Sequence, residues 1–167
     1  NIMENFGTDV KRYEEKHDWT YRVARDTEAS ANRLGSDMRL SVSSYPLINW
    51  LDSIVRSVVQ CVAAIVQLEE LSNASYAPVA EIFRTILPTE KLHLEVGLRG
   101  LKAILANKDN EKAVIESFKY WHERAALGFG KAESERYEKL KNMGLRHESN
   151  TALQKLWQER LDQSMKA

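Results

Sequence analysis

The stretch Leu47–Leu68 limits the fold more than any other. Leu47, Ile48, Trp50, Leu51, Ile54, Val55, Val58, Val59, Val62, Ile65, Val66 and Leu68 occupy most of the angles around a helix axis. A helix that is apolar nearly all round belongs in the centre of a bundle, not at its edge. Ser44-Tyr45-Pro46 opens it, with proline in a first-turn position where a missing N–H costs nothing, and it runs to about Ser72. Its most apolar part, Ile54–Leu68, contains Arg56, Gln60 and Gln67. It is too short and too polar for a membrane span and reads as a core helix.

The other segments repeat helical spacing with little strand-like alternation. Thr8 caps a first helix that reaches about Leu34, with Val10, Tyr13, His17 and Tyr21 near one face and Gly35 as its stop. Asn73-Ala74-Ser75 turns the chain, and Tyr76-Ala77-Pro78 starts a third helix with Ile82, Phe83, Ile86, Leu94, Leu98 and Leu101 as its stripe. Pro88 lies inside this helix and lacks the N–H that would bond back to Arg84, so a kink, bulge or restart is expected there. Asn110 and Asn150 cap later helices. The expected helices cover about 8–34, 47–72, 76–106, 110–128, 132–143 and 150–166 of one domain spanning 1–167.

Charge excludes several function classes. Lys+Arg and Asp+Glu balance at 24 each in 167 residues, so no global bias points to nucleic acid or an anionic membrane. The single Cys61 excludes an internal disulfide framework. With no signal-like segment, the expected location is cytoplasmic.

The chemistry-bearing motif is Glu90-Lys91-Leu92-His93. Residues three apart share a helix face, so this carboxylate and imidazole can converge on one point. Glu14-Glu15-Lys16-His17 repeats the spacing on the first helix. Carboxylates that bridge two irons, together with imidazoles, form the di-iron centre of helical bundles, and that centre needs a carboxylate from each of two further helices. Folding the second and third helices back on each other, at about 1.5 Å per residue, puts Glu90 roughly 20 Å from the tip. That level matches Cys61, with Gln60 beside it, while Glu69 and Glu70 lie nearer the tip. As a thiol, Cys61 behaves as a small hydrophobe, or else as a ligand favouring zinc or a single iron. Gln60 and Gln67 need hydrogen-bond partners. His122 and His147 have no companion ligands, and Trp50, Trp121 and Trp157 read as core or interface aromatics.

Several motifs together resemble a known family. Ser44-Tyr45-Pro46 with Trp50, Ser75-Tyr76-Ala77-Pro78, and Glu90-Lys91-Leu92-His93 with Gly97 are similar to the catalytic-subunit type of ring-1,2-phenylacetyl-CoA epoxidase. Trp121 followed by Phe129-Gly130, and Gly144-Leu145-Arg146 with Ser149-Asn150, extend the likeness from about Asp37 to the end. The resemblance implies an all-α, ferritin-like antiparallel helical bundle with extra C-terminal helices. The first bundle helix would be missing, because a ligand helix upstream of Glu14 would precede Asn1. It also implies a di-iron monooxygenase subunit that oxidises an aromatic acyl-CoA with O₂, as a homo- or hetero-oligomer with a related ferritin-like subunit and served by a reductase. Glu90 and His93 match the family's second E-x-x-H, Glu14 and His17 fall at its first, and Cys61 stands where the family places an acidic ligand. The alternative is a non-catalytic structural subunit with a degenerate site and no iron. Lys102, Lys108, Lys112 and Lys131 are candidate cations for a CoA moiety.

Overall fold

The computed structural model describes residues 23–32 and 40–165, and the following concerns those residues. They form an all-α bundle without strands: α1 (Trp50–Leu71), α2 (Ala77–Leu105), α3 (Glu111–Ala126), α4 (Glu135–Asn142) and α5 (Asn150–Ser164). A short 3₁₀ turn, Ser41–Ser44, precedes α1. The central position expected for the apolar segment is observed: α1 packs against α2, α3 and α5. Val55, Val58, Val59, Val62 and Val66 of α1 meet Trp121 of α3 and Trp157 and Leu161 of α5 in one core. By length and composition α1 could cross a membrane, yet half of its most apolar window is buried against these neighbours.

The start of α1 differs from the expectation. The helix begins at Trp50, capped by Asn49, whose side chain accepts a hydrogen bond from the Asp52 N–H at 2.8 Å. Asp52 in turn accepts from the Ile48 N–H at 3.3 Å. This reciprocal arrangement satisfies two donors at the helix end, and it leaves Leu47, Ile48 and Trp50 on the surface at 43%, 66% and 75% exposure.

Asp52 gathers hydrogen bonds from several elements of the bundle. It is 1% exposed. Its carboxylate accepts from both terminal nitrogens of Arg25 at 2.6 and 2.8 Å, from Ser117 Oγ at 2.7 Å and from Trp121 Nε1 at 2.8 Å. Burial alone would raise its pKa. The hydrogen bonds from Arg25, Ser117, Trp121 and Ile48 outweigh burial and hold it below the ordinary carboxylate value.

Arg25 lies in a segment where helix was expected. Residues 23–32 are irregular, with a turn at Arg25–Asp26, so the first helix does not run on to Leu34. The physical reason is that the backbone groups of this segment bond to the bundle instead of to each other. Tyr120 Oη donates to the Arg25 carbonyl, Arg124 Nη2 to that of Thr27 and Tyr45 Oη to that of Glu28, each at 2.8 Å. The Tyr120 ring lies between the Arg25 and Arg124 guanidiniums, 3.6 and 3.5 Å from its centroid.

Pro88 gives no restart: α2 is continuous from Ala77 to Leu105. Pro88 and Arg84 are both on the exposed side, where water can satisfy the carbonyl that loses its partner. The other side of α2 stays packed on α1. Gly97 allows a close approach, since a Cβ there would stand 3.1 Å from Val58 Cγ2.

Asp52→Asn keeps the shape of the side chain but places an amide against these donors. It is expected to lower unfolding free energy by about 3–5 kcal/mol, the usual range for breaking a buried pair, read from urea denaturation at neutral pH. Because the folded-state pKa is depressed, this contribution is present above the ordinary carboxylate value and disappears as pH falls through the folded one. The difference between parent and variant is therefore expected to narrow below about pH 4.

Candidate functional site

Glu90 and His93 come together as their spacing requires. Glu90 Oε1 lies 3.5 Å from His93 Nδ1, with the carboxylate side chain 25% exposed and the imidazole 55% exposed. Glu90 also lines a cavity of ≈ 320 Å³ between α1 and α2, with Gln60, Ala64, Gln67, Ile86 and Val42 among its walls. The corner therefore has a half-buried carboxylate facing an apolar space and an imidazole facing solvent.

The hairpin sits about one turn from the expected register. Gly97 faces Val58 and Gly100 faces Ile54. Carried along the two antiparallel helices, these contacts put Glu90 level with Ala64 and Ile65, and Cys61 level with His93. Counting from the tip missed this, because it assumed that both helices leave the turn at equal height.

Cys61 is 8% exposed, and its Sγ lies 3.9 Å from Ser57 Oγ. Burial pushes its thiol pKa up; the Ser57 hydroxyl opposes that and the Glu90 charge adds to it. Glu90 is thus near enough to act on Cys61 electrostatically, and it discourages the thiolate that a metal would need.

Of the expected ligands, Glu14 and His17 lie outside the described residues. Among the described residues no three His, Cys, Asp or Glu side chains group as a metal site. Gln60 was expected to find a core hydrogen bond, yet its Nε2 is buried without a partner. Glu69 is engaged elsewhere, 3.1 Å from Lys91 Nζ and 2.5 Å from Arg160 Nη1. Burial opposes its ionisation, but these cations prevail and hold its pKa below the ordinary value. Glu70 is 7% exposed and accepts from the backbone N–H groups of His147 and Glu148 at 2.5 and 3.0 Å. The acids near the tip therefore serve as struts.

His122 stacks on Trp157, with ring centroids 4.7 Å apart, and bonds Gln158 through Nε2. Trp121 and Trp157 are 0% and 1% exposed, so they are core aromatics.

A family model described as phenylacetic acid catabolic protein matches residues 19–167. The chain belongs to that family. Membership gives it a role in phenylacetic acid catabolism. No curated protein and no solved structure matches the chain.

Sequence reasoning missed Asp52 and Arg25. Asp52 carried a signal in Asn49-x-x-Asp52, a polar cap followed three residues later by an acid. Arg25 carried none, since its role comes from a contact 27 residues away.

The raised Cys61 pKa leads to a measurable consequence. Only thiolate attacks alkylating reagents, so native protein at pH 8 is expected to react with iodoacetamide at least about tenfold more slowly than the same chain in urea. Equal rates would contradict the burial and charge assignment.

Proposed function

We propose that this chain is a non-catalytic, ferritin-like subunit of an assembly that oxidises an aromatic acyl-CoA, and that it pairs with a related helical-bundle subunit. One observation carries the reading. The side of α1 facing Glu90 presents Gln60, Ala64 and Gln67, where a di-iron centre requires a carboxylate. A carboxamide or a methyl group neither bridges two irons nor neutralises their charge. Glu90 and His93 supply part of a ligand set, and the described residues supply no third member. The donor set on the described helices does not fit a bridged pair of irons.

The exposed start of α1 supports the pairing. Leu47, Ile48 and Trp50 crowd one end of the bundle, and exposed tryptophan beside aliphatic groups is typical of the centre of a protein interface. Trp50→Glu is expected to disperse a homo-oligomer or a complex with a co-expressed related subunit, seen by light scattering, without changing helical content. Retention of the complex would move the interface elsewhere.

A second reading, a di-iron monooxygenase subunit, is favoured by the repeated spacing of Glu14-x-x-His17 and Glu90-x-x-His93. Metal analysis after anaerobic ferrous loading separates the two. The structural reading expects well under one iron per chain; about two irons per chain, the family's complement, would restore the oxygenase reading. Ala64→Glu places a carboxylate level with Glu90 and is expected to raise iron retention above that of the parent.

A further inference from the structure

A second cavity lies far from Glu90, at the tip of the α1–α2 hairpin. It measures ≈ 530 Å³, and its walls include Leu71, Ala74, Val79, Leu140, Leu145 and Arg146. The walls are largely apolar, with Tyr76, Met143 and Arg146 completing the lining. The volume lies within the range of small-molecule pockets, which are typically apolar with one or a few polar anchors.

The pocket is held open by a built turn. Ser75 donates its backbone N–H to the Gly144 carbonyl and its hydroxyl to the Met143 carbonyl, both at 2.8 Å. Gly144 has φ +67, and a Cβ there would stand 3.1 Å from Ser75. This stitch fixes Met143 and Leu145 across from α2. Met143 at the rim remains 65% exposed.

Arg146 is paired with Glu70 but not fully hydrogen-bonded. Its side chain is 20% exposed, and Nε lies 3.6 Å from Glu70 Oε1, beyond hydrogen-bond length. Nε is buried without a hydrogen-bond partner. Among the described residues the guanidinium pairs with Glu70 and makes one long hydrogen bond, 3.3 Å from Nη2 to Asn150 Oδ1. Glu70 meanwhile gives its better bonds to the N–H groups of His147 and Glu148. A guanidinium offers five donors in a fork that suits a carboxylate. Arg146 also lines the adjoining cavity of ≈ 660 Å³, where Lys131 and Arg136 stand with Glu133 and Glu135. It therefore sits at the boundary between an apolar pocket and a polar one.

We infer that this pocket binds an amphipathic monocarboxylate, with the apolar tail among Leu71, Val79, Leu140 and Leu145 and the carboxylate on Arg146. The site is separate from Glu90 and His93 and needs no metal, so it stands whether or not the chain holds iron.

Calorimetric titration of the full chain with decanoate, decanol and decyl sulfate tests the assignment. Decanoate is expected to bind saturably, one per chain, with decanol at least roughly tenfold weaker, as for loss of a charge-assisted hydrogen bond. Decyl sulfate is expected to be weaker than decanoate; tighter binding of the sulfate would overturn the carboxylate assignment in favour of a tetrahedral anion. Arg146→Gln should remove the preference for decanoate over decanol. Val79→Asp should abolish decanoate binding with the fold kept, since an acid suits the first turn of α2. Circular dichroism of each variant checks folding. No saturable decanoate binding, equal affinity for decanol, or parent-like binding by folded Val79→Asp would each overturn the proposal.

Discussion

A single buried carboxylate organises this bundle. Asp52 is almost wholly removed from water, and an ion in such a place costs several kcal/mol unless its lone pairs are met. They are met by Arg25, Ser117, Trp121 and the Ile48 N–H. These donors come from the irregular segment before the bundle, from α3 and from the approach to α1. One side chain thus fixes the height and rotation of α1 against α3 and anchors the segment that leads into it. Apolar packing of Val55, Val59 and Trp121 has no comparable directionality, because dispersion contacts tolerate small rotations that a forked ion pair does not.

The two ends of α1 use the same device. Asp52 pins the first turn, and Glu70 receives two backbone N–H groups at the last. Glu69 bridges α2 and α5 through Lys91 and Arg160. All three acids of α1 are therefore committed to architecture. The middle of the helix, opposite Glu90, carries amides and small apolar groups. That distribution underlies the structural reading: the helix has anionic groups where it must be held and none where a cation would be bridged.

Periodicity and punctuation made much of the fold legible. The apolar run Ile54–Leu68 was readable as a central helix because no surface face could be drawn on it, and the α1–α2 hairpin followed from Asn73-Ala74-Ser75 between two long stripes. The Glu90–His93 pair was readable because helix geometry alone sets it. Three things were not. The hairpin register depends on where Gly97 and Gly100 let the helices close, which no count from the turn supplies. The continuity of α2 through Pro88 depends on which side of the helix meets water. The irregular 23–32 segment has helix-compatible side chains and is drawn out of helix by donors nearly a hundred positions later, Tyr120 and Arg124.

That segment is held in large part through its backbone. Arg25, Thr27 and Glu28 each offer a peptide oxygen to a tyrosine or arginine of the bundle, and only Arg25 also contributes a side chain to the buried ion pair. Every residue type carries a carbonyl. Asp26, Thr27 and Glu28 are therefore free to drift to other residues while the path of the chain stays where it is. Natural variation in this stretch should concentrate around a fixed arginine, with the constraint recorded instead in Tyr45, Tyr120 and Arg124.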